Sequence, residues 1–110
     1  MALVGFPASI VMDANGCTAV YTLINSGMTD LVIKIKTSNI VDYTFKPVHA
    51  FIKSGETKQI EILRKKGPPK NDKFLVQYAA APSGGAKDAQ SAFGASKMIG
   101  QICIGLFALP

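Results

Sequence analysis

The chain has 110 residues, 48% of them hydrophobic and 17% charged, with a net charge of +5. One domain over residues 1–110 is expected, and this apolar fraction excludes a disordered chain. With two cysteines, a disulfide-dense secreted scaffold is excluded.

No apolar run reaches the roughly 18 residues of a membrane helix, so no membrane span is expected. The most apolar run, Met98 to Leu109, is interrupted by Gly100, Gln101 and Gly105. The N-terminus has no basic residue ahead of its apolar part and does not read as a secretory signal. The cytoplasm is the expected compartment.

Short apolar runs alternate with turn signals along the chain, the all-β pattern. Ser9 to Met12 is a first strand, ended by Asp13-Ala14-Asn15-Gly16. Thr18 to Asn25 is a second, and residues 26–30 a turn. In Leu31 to Thr37, Leu31, Ile33 and Ile35 point one way and Lys34 and Lys36 the other. That predicts one buried face and one wet, basic face. Tyr43 to Lys46 is a short strand stopped by Pro47, which has no N–H for a ladder. Thr57 to Leu63 follows a Lys53-Ser54-Gly55-Glu56 turn, with Ile60 and Ile62 inward. In Lys73 to Ala80, Phe74, Val76 and Tyr78 share one face, and Lys73, Leu75 and Gln77 the other. Residues 82–85 are a loop. Ala86 to Ala95 is a short helix with Gly94 as its stop, and Met98 to Leu109 a long final strand.

Seven strands in this length predict an all-β, immunoglobulin-like, seven-stranded antiparallel sandwich with one short helix before the last strand.

Signs of catalysis are sparse. A histidine-based triad would have to be built on His49, the single histidine, which reads as a loop or half-buried structural residue. Cys17 and Cys103 sit in no nucleophile motif and read as buried free thiols, with a disulfide between them the alternative. Two cysteines and one histidine do not make a four-ligand zinc site, and no phosphate-cradling glycine motif occurs. Asp42 and Asp72 lie near loops with nothing to pair them. No enzyme, cofactor or metal is expected.

Arg64, Lys65, Lys66, Lys70 and Lys73 form a basic run. Arg64 to Lys70 reads as a solvated loop; nucleic acid, acidic lipid or an acidic peptide are what a basic run otherwise meets. Without interleaved aromatics on the basic face, nucleic acid is not expected.

The segment KIKTSNIVDYTFK (residues 34–46) followed by Pro47, with IKSGET (52–57) and KFLVQYAAAP (73–82), resembles the major sperm protein domain family. That family includes the nematode sperm cytoskeletal proteins and the cytoplasmic domain of the vesicle-associated-membrane-protein-associated (VAP) proteins. The small size resembles the sperm-specific nematode members. The resemblance implies a seven-stranded immunoglobulin-like sandwich, no catalysis, no cofactor, and self-association or partner binding in the cytoplasm. It points to an interaction or cytoskeleton-associated module in nematode sperm. The alternative is a soluble VAP-like reader of acidic, FFAT-like motifs, phosphorylated ones included.

The strands at 31–37 and 73–80 would be the third and sixth of such a sandwich, neighbours in one sheet. Lys34, Lys36, Lys73 and Leu75 then form a basic groove with an apolar floor, suited to an extended acidic peptide with an aromatic anchor. The VAP branch docks its two-phenylalanine peptide at the same place. The matching positions here are Lys34, Lys36, Thr37, Ser38, Thr44, Lys73 and Leu75, with a Thr for that branch's Cys and a Leu for its Met. Homotypic pairing of exposed edges, giving a homodimer or filament, is the second use, with the first and last strands the segments concerned.

Overall fold

The computed structural model describes residues 3–82 and 88–110. Its strands are β1 (Leu3–Phe6), β2 (Ser9–Asp13), β3 (Cys17–Asn25), β4 (Leu31–Thr37), β5 (Tyr43–Lys46), β6 (His49–Ile52), β7 (Thr57–Arg64), β8 (Lys70–Ala80) and β9 (Met98–Leu109). Helix α1 (Ala89–Ala95) precedes β9. The expected loop residues 83–85 and the first two residues of the expected helix lie outside the described residues.

Period-two alternation builds each strand with one apolar face, and two such sheets stack to bury them. One sheet has the order β1-β3-β7-β5, the other β2-β9-β8-β4-β6. The expected sandwich is therefore present, but with nine strands among the described residues rather than seven. β1 is broken by Gly5 and followed by Pro7; β6 is four residues long and begins two residues after Pro47. Both are short edge strands, and neither shows a long alternating run. The sandwich is also not wholly antiparallel, because β2 pairs with β9 in parallel. That pairing closes the outer side of β9, so the last strand lies inside its sheet and offers no edge for self-pairing; β2 does.

Leu31, Ile33, Phe74, Ile60, Ile62 and Ile104 are wholly buried between the sheets. Each such side chain contributes about 1.5–3 kcal/mol by leaving water. Phe74 is the centre of an aromatic group, edge-on to Tyr21 at 5.3 Å and tilted against Phe45 at 5.0 Å. The Tyr21 phenol lies so close over Gly5 that a Cβ there would overlap its hydroxyl. Burial pushes the Tyr21 pKa up to about 12.

Strand β4 departs from the simple two-faced expectation. Val32, on its outer side, is 0% exposed. It pairs with Phe51 of β6 and Ala79 of β8, and α1 lies across this row with Ala89, Ala92 and Phe93. Asp88 caps α1, accepting from the Ser91 N–H at 2.8 Å. The helix passes through Gly94 and ends at Ala95, where the Ser96 N–H donates to the Phe93 carbonyl.

Candidate functional site

Beyond the helix, the outer face of the five-stranded sheet is open. Register sets its side chains in rows across the strands. His49, Lys34, Gln77 and Gln101 form one row, and Lys36, Leu75 and Cys103 the next. Lys73 follows, opposite Gly105. The two strands predicted to be neighbours are neighbours, and their lysines share a face with Leu75.

Two clefts adjoin there. The smaller, about 210 Å³, is lined by Lys36, Thr37, Ser38, Lys73 and Leu75. The larger, about 430 Å³, is lined by Ile35, Lys36, Thr37, Ile40, Tyr43, Thr44, Phe45 and Val48. Lys36 and Thr37 belong to both. The larger cleft opens where β6 stops pairing with β4 at Lys34, and past that point the Ile35 N–H donates to the Val48 carbonyl at 2.8 Å. Pro47 and Val48 turn the chain from β5 in one sheet to β6 in the other, which leaves the gap.

Five of the seven expected residues thus surround one cleft. Thr44 does not share their face. It lies on β5 of the opposite sheet and meets Lys36 and Thr37 only across the larger cleft. Lys34 lines neither cleft and stands half-buried between Gln77 and His49. The Thr37 and Ser38 hydroxyls are engaged within the chain. Both donate to the Lys73 carbonyl at 3.3 Å; Ser38 Oγ also donates to Asp72 Oδ1 at 3.2 Å and accepts from the Lys73 N–H at 3.1 Å. They fix the corner that presents Lys73.

Behind this corner is a polar cluster missed by the sequence reading. Asn39, 7% exposed, donates from Nδ2 to Asp42 Oδ2 at 2.9 Å and to Asp72 Oδ2 at 3.0 Å. The two aspartates expected to be unrelated are therefore bridged by one amide. Arg64, expected in a solvated loop, is 3% exposed. Its guanidinium stands 5.0 Å over the Tyr43 ring and donates from Nη2 to the Pro68 carbonyl at 2.8 Å. Burial raises the Tyr43 pKa, and the neighbouring Arg64 guanidinium works against that rise. The aliphatic residues Ile35, Ile40 and Val48 of the larger cleft were also missed; the Pro47 break and the exposed Ile40 were the signals available.

The three side chains offered for nucleophilic chemistry are apart. Cys17 is in β3, its Sγ accepting from the Asp13 N–H at 3.2 Å. Cys103 is in β9 and exposed, not buried as expected, and both thiols are free. His49 begins β6, separated from β9 by the two strands β8 and β4, with its ring 6.3 Å from that of Phe93.

A two-sheet sandwich of this strand order, with one short helix before its last strand, is an immunoglobulin-like fold. Residues 2–99 match the MSP (Major sperm protein) domain, and the chain belongs to that family. Sperm-specific class P protein 19 of Caenorhabditis elegans is 37% identical over 108 residues, 98% of this chain and 98% of that protein. The solved structure of SSP-19, an MSP-domain protein like family member in C. elegans, superposes with a TM-score of 0.92 at 36% identity, over 96% of this chain and 98% of that one. WR4, a C. elegans MSP family member, superposes at 0.90 with 29% identity, over 98% of each chain. These relatives set the sperm branch of the family ahead of the VAP branch.

Proposed function

We propose that the chain is a non-enzymatic protein-interaction module of nematode sperm, docking an extended acidic segment of a partner protein along β4 and β8. The observation that carries this reading is the pair of adjoining clefts that share Lys36 and Thr37, with Leu75 in the floor of one. Lysines at the rim raise the encounter rate of an acidic segment, and the apolar floor selects its anchor. The wide spacing of His49, Cys17 and Cys103 supports binding rather than nucleophilic catalysis. The sperm setting is carried by the named relatives.

The test is an amide-shift titration with acidic, phenylalanine-containing peptides. Shifts centred on Lys36, Lys73 and Leu75 are expected, and Lys73→Asp should weaken binding by about tenfold. Shifts that avoid these residues, or unchanged affinity in Lys73→Asp, would remove the reading.

A further inference from the structure

One end of the sandwich gathers the turn at residues 13–16 and the loops at 38–42 and 65–69. The Gly67 N–H donates to the Ala14 carbonyl and the Lys65 N–H to the Asp42 carbonyl, both at 3.0 Å. From this end two consecutive apolar side chains project into water: Ile40 is 81% exposed and Val41 68%. A turn tip is usually polar. Here Asn39 holds an apolar one in place. Its Oδ1 accepts from the Val41 N–H at 3.1 Å and from the Asp42 N–H at 3.0 Å, and its own N–H donates to Thr37 Oγ1. Those tip donors are bonded within the chain, so withdrawing the tip from water leaves them satisfied.

Exposed lysines surround the pair. Lys65 and Lys66 follow Arg64 on the neighbouring loop, Lys70 and Lys73 are on β8, and Lys36 is at the end of β4. Nearby carboxylates are drawn inward. Asp72 has a side chain only 3% exposed, and Asp42 is half-buried against Asn39. Asp13 is the exposed exception, accepting from the Asn15 N–H at 2.8 Å.

We infer that this end of the molecule docks on an anionic membrane surface. Ile40 and Val41 enter the boundary between headgroups and acyl chains, and the lysines face the anionic headgroups. A protein partner would need a recess matched to a projecting aliphatic pair. A bilayer needs none, and cations spread over several elements suit a charged plane. This surface overlaps the peptide face at Lys36, Ile40 and Lys73, which line the clefts, and extends beyond it at Val41, Lys65 and Lys66, which line neither.

The experiment is co-flotation of the chain with phosphatidylcholine vesicles, with and without phosphatidylserine. Binding is expected only with phosphatidylserine, falling as salt rises. Val41→Asp and the double variant Lys65→Glu/Lys66→Glu should each lower it about tenfold, with shifts from acidic peptides at Lys36 and Leu75 unchanged. Absence of phosphatidylserine-dependent binding overturns the inference. So does binding that survives Val41→Asp, since the tip is then not inserted. Amide shifts at Val41, Lys65 and Lys66 with polyglutamate, in a chain that ignores vesicles, would overturn it in favour of an acidic protein.

Discussion

The outer face of one sheet carries two unlike regions about 13 Å apart along the strands. At one end, Phe51, Val32 and Ala79 form a row beneath α1. At the other, Lys36, Leu75 and Cys103 form a row open to solvent. Val32 and Lys36 belong to the same strand and the same face, four residues apart. What separates them is a helix of seven residues that covers one row and stops short of the other. A strand face is thus not wet or dry as a whole. Burial is settled row by row, by what the chain later lays across it.

An aspartate placed in each row tests that difference most severely. Val32→Asp would place a carboxylate under α1 among Phe51, Ala79, Ala92 and Phe93, and should cost about 3–5 kcal/mol. Lys36→Asp, on the open row, should change stability by no more than about 0.5 kcal/mol while lowering peptide affinity. Urea unfolding of the two variants measures both. Similar costs would mean that α1 does not shield its row.

Next in size is the support behind the open row. Asn39→Ala removes donors from Asp42 and from the nearly buried Asp72, and with them the turn that holds residues 40–42. About 2–3 kcal/mol should be lost, because a buried carboxylate is left short of partners. Ser38 and Lys70 still face Asp72, and they limit the damage. Leu75→Ala is smaller. Leu75 is only half-buried, so about 1 kcal/mol of stability is expected to go, with a larger loss in peptide affinity. An unchanged affinity would exclude Leu75 from the docking floor.

These contrasts show what can be read from a sequence and what cannot. The pairing of β4 with β8 was legible because Leu31-Val32-Ile33-Lys34-Ile35-Lys36 and Lys73 to Tyr78 alternate with period two, and a sandwich topology makes such strands neighbours. The inward set was legible for the same reason. Val32 was not: the alternation assigns it outward, and only α1, distant in sequence, buries it. Arg64 and Asp72 were misread because charge suggests solvent, whereas their burial depends on partners from other loops: the Pro68 carbonyl for one, Asn39 and Ser38 for the other. Thr44 came into the candidate site through family resemblance alone, and nothing in its own strand could have warned that it lies on the other sheet.

The smallest expected effect falls at the boundary between the regions. His49 pairs in register with Lys34, its ring stands near Phe93 of α1, and Asp88 lies at the helix start. Burial lowers the His49 pKa below its usual 6.5, the Lys34 charge lowers it further, and Asp88 partly offsets both. The Asp88 carboxyl is itself held down by hydrogen bonds from Ser91, so it stays charged as His49 titrates. Because the folded chain holds that proton less tightly than the unfolded one, the stabilisation is present above pH 6.5. It is lost as pH falls through the lowered value. The protonated ring is disfavoured where Phe93 and Lys34 crowd it, so acid should loosen the covered row before the open one. Hydrogen exchange at Ala92 and Phe93 should therefore lose protection between pH 7 and pH 5, once corrected for the intrinsic rate. Lys36 and Leu75 should not change. His49→Phe should abolish the difference; its persistence in that variant would show that another group near α1 titrates in this range.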